Sequence, residues 1–206
     1  MKIELQGVGK RFIKDWIFRN VTLDFEANKK YAITGRNGSG KSTLLQLISG
    51  LIIPTEGQIF YKDASGEINK NQDLNLEFSY CSPFQELPEE LTAKEVYDFH
   101  FNFRSKAVDF DNSMFFDLVE LSGQENKQVK YYSSGMKQRL KLGLCMFTES
   151  KIYFLDEPTT NLDRNGISWY KNLISTTIKE KTLFVSSNIE EEYQFCNQVI
   201  NISDFK

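Results

Sequence analysis

The sequence predicts a layered α/β fold. It has a three-layer core around a mostly parallel sheet, an N-terminal antiparallel β subdomain and an inserted helical subdomain. Three observations lead there. Short apolar strands alternate with amphipathic helical segments at both ends of the chain, as in a parallel sheet covered by helices. A Gly-rich loop, Gly35-Arg36-Asn37-Gly38-Ser39-Gly40-Lys41-Ser42-Thr43, joins one such strand to one such helix. From Pro83 to Thr148 the texture turns helical throughout. The implied organisation is a single domain over residues 1–206. Its α/β core takes about 1–82 and 149–206, and the helical subdomain about 83–148.

Composition bounds the function classes. With 206 residues, 40% hydrophobic and 26% charged, the chain can bury a core as one unit. A net charge of −3 supplies no field for drawing in nucleic acid, so no direct nucleic-acid partner is expected. No apolar run approaches the roughly 20 residues that cross a bilayer. Met1-Lys2-Ile3-Glu4 alternates like a strand, unlike a signal peptide. Cys81, Cys145 and Cys196 follow no framework spacing, which fits reduced thiols in a cytoplasmic protein.

In order along the chain, Met1–Val8 and Val21–Phe25 alternate apolar and polar residues, as half-buried antiparallel strands do. Lys10–Trp16 between them reads as a basic and aromatic turn. Tyr31–Thr34 suits a central strand. Ser42–Leu51 carries a stripe of leucines and ends at Gly50 and Pro54, the pattern of an amphipathic helix. Gly57–Lys62 and Leu76–Cys81 are further strands joined by a polar loop. Leu91–Phe103, Ser113–Leu121 and Met136–Phe147 have helical spacing. The chain then returns to a buried strand at Lys151–Leu155, a helix at Gly166–Ile178, a strand at Thr182–Ser186, a short helix at Glu190–Cys196 and a last strand at Val199–Ile202.

The chemistry starts at the Gly-rich loop, which fits Gly-x-x-x-x-Gly-Lys-Ser between strand and helix. Gly35, Gly38 and Gly40 permit turns that a Cβ forbids and let backbone N–H groups approach a phosphate. The following helix directs its N-terminal N–H groups and dipole at the anion. Lys41 reaches the terminal phosphates, and the Ser42 hydroxyl suits Mg²⁺. Lys151–Leu155 ends in Asp156-Glu157-Pro158. Ligands sit at the carboxyl ends of parallel strands, so Asp156 can hold Mg²⁺ opposite Ser42, while Glu157 can polarise a water as general base. Ser133-Ser134-Gly135 opens a helix and reads as a second anion site or as a plain N-cap.

Taken together, the phosphate loop, Gln85, Ser133-Ser134-Gly135, Asp156-Glu157 and Asn161-Leu162-Asp163 resemble the nucleotide-binding subunit of ATP-binding cassette (ABC) transporters over essentially the whole chain. The resemblance implies a P-loop NTPase core, ATP and Mg²⁺ as cofactors, and ATP hydrolysis. It implies that Gln85 contacts Mg²⁺ or the attacking water and that Phe12 stacks on adenine, with Trp16 as second candidate and plain core as the other reading of Phe12. It also implies a head-to-tail pair, in which Ser133, Ser134 and Gly135 of one subunit cover ATP held by residues 35–43 of another. The pairing subunit is a second copy or a paralogous ATPase. A transmembrane permease is the further partner, which places the chain on the inner face of the cell membrane.

Two departures from the family pattern stand out. Met136 occupies a position where the family signature has Gln. Ser187-Asn188 follows Thr182–Ser186, where the family has a histidine at the γ-phosphate. Asn188 can donate one hydrogen bond but cannot carry a proton, which predicts slower hydrolysis with ATP binding intact. The alternatives are a cassette ATPase acting on nucleic acid or ribosomes, and a weakly hydrolysing regulatory subunit. His100, the only histidine, lies among Phe99, Phe101 and Phe103 and reads as a packing or surface residue. The aromatic run from Tyr97 reads either as lobe core or as a groove for a short helix of the permease, with Tyr97 expected among its exposed members.

Overall fold

The computed structural model describes residues 1–63, 66–67 and 77–205. Leu76 and most of the polar loop before it lie outside the described residues. The opening strands are longer than the hydropathy pattern suggests. β1 (Lys2–Phe12) and β2 (Asp15–Phe25) pair antiparallel from Ile3↔Phe25 to Phe12↔Asp15. The segment expected to be a turn, Lys10–Trp16, is therefore mostly strand, and the turn is only Ile13-Lys14. Ile13 turns the chain with φ 56. Ring contacts, one along β2 from Arg19 and one across from Arg11 of β1, help explain why a basic and aromatic stretch stays paired. The guanidinium groups of Arg19 and Arg11 lie 4.2 and 5.3 Å from the Trp16 ring centre. β4 (Glu56–Asp63) pairs on the other side of β1 and is followed by β5 (Gly66–Glu67), giving the order β2-β1-β4-β5.

The second sheet is parallel. It comprises β3 (Lys30–Thr34), β6 (Phe78–Cys81), β7 (Ile152–Asp156), β8 (Thr182–Ser186) and β9 (Gln198–Asn201) in the order β6-β7-β8-β3-β9. Its central strands are buried on both faces, which is why β7 and β8 read as continuous apolar runs. Alternation along each strand sends neighbours to opposite faces. Ile152, Phe154 and Phe184 pack with α1 (Lys41–Ile48) and the antiparallel sheet. Tyr153, Leu155, Leu183 and Val185 pack with the remaining helices. Phe184 stacks between Tyr31 and Phe154, each 5.1 Å away. The result is a three-layer core with the exits of β3, β7 and β8 side by side at one edge.

Between β6 and β7 lie α2 (Ala93–Phe103), α3 (Asn112–Leu118) and α4 (Ser134–Met146). α5 (Arg164–Thr177) follows β7, and α6 (Glu190–Tyr193) follows β8. The helix starts differ from the hydropathy pattern by one or two residues because caps set them. Thr92 and Glu95 form a reciprocal capping box, and Asp111, Ser133 and Asp163 cap the next three.

The core reading of the aromatic run holds for one face of α2, and the other face is exposed. Tyr97, expected to be exposed, is 4% exposed and packs on Phe101 and Phe115. The exposed members are Phe99 and Phe103, at 60 and 70%, with ring centres 5.1 Å apart. The spacing of 3.6 residues per turn puts Tyr97 and Phe101 on the core side and Phe99 and Phe103 on the other.

His100 is a packing residue. Its Nε2 lies 2.7 Å from Thr148 Oγ1, and the Thr148 hydroxyl donates to the Leu144 carbonyl at 2.6 Å. The Thr148 oxygen therefore accepts from a neutral imidazole protonated on Nε2. Burial, helped by the Arg104 guanidinium, lowers its pKa to about 4. In the unfolded chain the ring takes up a proton below about pH 6.5. The stabilisation is thus full above that pH and is lost as pH falls towards 4. Melting temperature is expected to drop more steeply between these values in the wild type than in His100→Gln, and parallel melting curves would contradict this.

Candidate functional site

The loop after β3 takes the backbone its sequence implies. Gly35, Gly38 and Gly40 have φ values of 148, 73 and 103. A Cβ on Gly40 would stand 2.4 Å from Ile17 Cγ2, so β2 packs directly against the loop exit and only glycine fits. α1 begins at Lys41 with neither a side-chain cap nor an acidic residue in its first turn. Its first N–H groups are thus left for a ligand, and the dipole favours an anion. The Lys41 side chain is 4% exposed, and its ammonium donates to the carbonyls of Gly35 at 3.1 Å and Arg36 at 3.4 Å. Arg36, Asn37 and Gly38 face solvent, Ser42 and Thr43 are half-buried, and buried Ser39 Oγ has no hydrogen-bond partner.

Asp156 is the last residue of β7 and sits opposite Ser186 of β8. It is 1% exposed, and its Oδ1 has no hydrogen-bond partner. Burial raises its carboxyl pKa, against the Ser186 and Ser42 hydroxyls and the Lys41 ammonium, which favour the charged form. A buried carboxylate with an unpartnered oxygen, beside a serine hydroxyl and a phosphate loop, fits a hard cation that takes oxygen ligands. Glu157 then leaves the strand with φ 42, its N–H donating to the Ser186 carbonyl at 2.8 Å. Left-handed backbone at a non-glycine residue costs about 1–3 kcal/mol and is found where the surroundings enforce it.

Asn188 lies just past β8 and is exposed; its Nδ2 donates to Asn37 Oδ1 at 3.3 Å. A residue far along the chain thus touches the phosphate loop. The remaining candidates gather elsewhere. Ser133 caps α4 and accepts from the Met136 N–H at 3.2 Å, and Ser134 is exposed on the first turn. A Cβ on Gly135 would stand 3.1 Å from the Asn161 carbonyl oxygen, so glycine there lets the two segments close on each other. Gln85, Ser134, Gln138, Lys141 and Asn161 line an open cleft of about 450 Å³. Lys141 anchors the Gln85 loop by donating to the Ser82 and Pro83 carbonyls at 3.0 and 3.1 Å.

The site residues therefore form two groups. Residues 35–43, Asp156, Glu157 and Asn188 gather at the strand exits. Ser133–Gly135, Asn161 and Gln85 gather around the start of α4. Phe12 stands at the end of β1, 49% exposed, with the Lys10 ammonium 5.1 Å from its ring centre. The β2 residue set against the loop is Ile17, which shares a cleft of about 490 Å³ with Trp16, Arg19 and Phe205.

Two buried polar residues escaped the sequence reading. Gln138 donates from Nε2 to the Pro158 carbonyl at 2.7 Å. Glu192 accepts through Oε1 from the Thr159 N–H at 2.8 Å and from the Thr159 hydroxyl. Gln138 lies one helical turn past Gly135. Glu192 is hidden in the run Glu190-Glu191-Glu192, which reads as a solvated face.

Comparison with known proteins agrees with this geometry. Residues 18–160 match the protein family described as ABC transporter. An uncharacterised ABC transporter ATP-binding protein of Bacillus subtilis (strain 168) is 30% identical over 92% of this chain and 87% of its own length. A sulfate/thiosulfate import ATP-binding protein of Mesorhizobium japonicum is 31% identical over 98% of this chain and 61% of its own length, so the chain spans about three fifths of that relative. Among solved structures, a dimeric ATP-binding cassette in a post-hydrolysis state, bound to ADP and Pi, superposes with a TM-score of 0.82. It is 22% identical, over 97% of this chain and 93% of its own.

Proposed function

This chain belongs to the ABC transporter family, and from that footing we propose that it binds and hydrolyses Mg-ATP as the motor subunit of a transporter. The observation that carries the proposal is the buried, half-satisfied carboxylate of Asp156 beside Ser42 and Lys41 at the mouth of a phosphate loop. In this reading the backbone of residues 35–43 cradles the phosphates, and the Lys41 ammonium leaves its carbonyls to take the terminal ones. Ser42 and Asp156 would hold Mg²⁺, which when bound would neutralise charge on the phosphates; Gln85, which lines the cleft at the start of α4, would join them only by moving towards the phosphate loop. Glu157 accepts the proton of the attacking water. Phe12, or Trp16 from the cleft beside Ile17, supplies the π face for the base.

One open subunit leaves the γ-phosphate to water. Ser133, Ser134 and Gly135 are the groups that cover it from a second copy of this chain, with the 83–148 stretch presenting them. The dimeric relative supports this arrangement. A permease is the other partner, and the chain works against it at the inner face of the membrane. The relative named as an import ATP-binding protein supports that partner. The exposed Phe99, which shares a cleft with Gln85, and Phe103 next to it suit a short apolar helix of such a partner.

Asn188 is a brake in this scheme. Its amide holds Asn37 and can reach a γ-phosphate, but it offers no proton path. Asn188→His is expected to raise kcat for ATP by roughly tenfold or more with KM little changed. Phosphate-release kinetics on both proteins, with and without the membrane protein that co-purifies, provide the check. Absence of turnover in both would overturn the hydrolytic reading, and equal turnover would remove the brake.

A further inference from the structure

Glu192 is 1% exposed, yet it lies in an acidic run on a helix of one turn, four residues past Asn188. Its Oε1 takes both donors of Thr159, the backbone N–H at 2.8 Å and the hydroxyl. Its Oε2 is buried without a hydrogen-bond partner. The Tyr170 hydroxyl donates to its carbonyl at 3.0 Å, and its own N–H donates to the Ile189 carbonyl at 3.0 Å. A buried carboxylate with one idle oxygen is costly, and an apolar side chain in its place would leave the buried Thr159 N–H and hydroxyl without their acceptor. Packing therefore does not account for it, and its partner suggests what does.

Thr159 is two residues past Glu157, in the turn that leaves β7. That turn is fixed at three points. The Glu157 N–H is held by the Ser186 carbonyl, the Pro158 carbonyl by Gln138, and Thr159 by Glu192. Glu157 has left-handed backbone, a conformation that persists only while its surroundings enforce it. Without Glu192, the turn is free on its far side and the direction of the Glu157 carboxylate is no longer set. The same carboxylate sits on the segment that carries Asn188 to the phosphate loop.

We propose that Glu192 is a positioning residue for hydrolysis, holding the turn that aims Glu157 in register with the segment that aims Asn188. The proposal rests on the ATPase reading above. Because the Glu192 side chain bonds Thr159 and no residue of 35–43, its removal is expected to act on kcat and spare ATP binding.

The test is ATP turnover and ATP affinity of the full-length chain carrying Glu192→Ala, Glu192→Gln or Thr159→Val. Glu192→Ala is expected to lower kcat roughly tenfold or more, with KM and the affinity for a fluorescent ATP analogue within about twofold. Glu192→Gln keeps the Oε1 acceptor and should recover most of the turnover. Thr159→Val keeps the N–H and loses only the hydroxyl, so its kcat should fall part of the way with KM unchanged. Unchanged kcat in Glu192→Ala, affinity lost in step with kcat, or failure of Gln to rescue would each overturn the proposal. Should the alanine variant not fold, Thr159→Val decides: full turnover overturns it, and reduced kcat at constant KM supports it. An inactive wild type would overturn the ATPase reading and this proposal together, whereas an active wild type with an equally active Glu192→Ala overturns only the positioning role.

Discussion

Glu157→Gln is expected to lower ATP turnover by roughly 10²- to 10⁴-fold while ATP affinity stays within a few fold. The amide keeps the size of the side chain and the left-handed turn at φ 42, because none of the three bonds that fix the turn involves the Glu157 carboxylate. What it loses is the ability to accept a proton from water. The loop proposed to hold the phosphates runs through residues 35–43 and is untouched. Steady-state phosphate release and an ATP titration on the same preparation separate the two quantities. Wild-type turnover in this variant would exclude Glu157 as the proton acceptor.

Lys41→Met is the second large effect, and it acts on the other quantity. The methionine stem fills the same 4%-exposed slot, so the fold is expected to persist. The buried ammonium that bridges the Gly35 and Arg36 carbonyls is lost. Removing a preorganised charge of this kind costs about 10²–10³ in rate, roughly 2.7–4 kcal/mol. The expected result is a fall of that order in kcat/KM accompanied by weakened ATP binding. ATP binding at wild-type affinity would contradict the role assigned to Lys41.

The contrast between these residues and the ones that escaped notice explains what the sequence could reveal. Residues 35–43 and Asp156-Glu157 are legible because their chemistry is local: a run of glycines, a lysine and a strand ending in acids each state their purpose within ten residues. Most strands and helices are legible for the same reason, since their periodicity is local. The hairpin at Ile13-Lys14 is not legible because Arg11 and Trp16 pair across strands, and cross-strand contact leaves no mark on a linear pattern. Tyr97 was placed on the wrong face because a run with an aromatic at every second position shows only that the helix has aromatic sides, not which side is covered. The helix starts were recoverable, since Thr92 and Glu95 form a capping box whose spacing is visible in the sequence. Glu192 and Gln138 were not recoverable. Their partners, Thr159 and Pro158, lie 33 and 20 residues away, and only the fold brings them together.

The same logic sharpens the account of the site. Within one chain the phosphate loop is joined to Asp156 and Asn188, while Ser133–Gly135 is joined to Asn161 and the Gln85 cleft. In the proposed scheme these two half-sites meet across a second chain. This is the central claim, and Glu157→Gln, which holds ATP without consuming it, isolates it. The decisive measurement is the solution mass of this variant by light scattering after size exclusion, with Mg-ATP and with Mg-ADP. The account predicts twice the chain mass of 23.9 kDa with ATP and the single-chain mass with ADP. A single-chain mass under saturating Mg-ATP would contradict it.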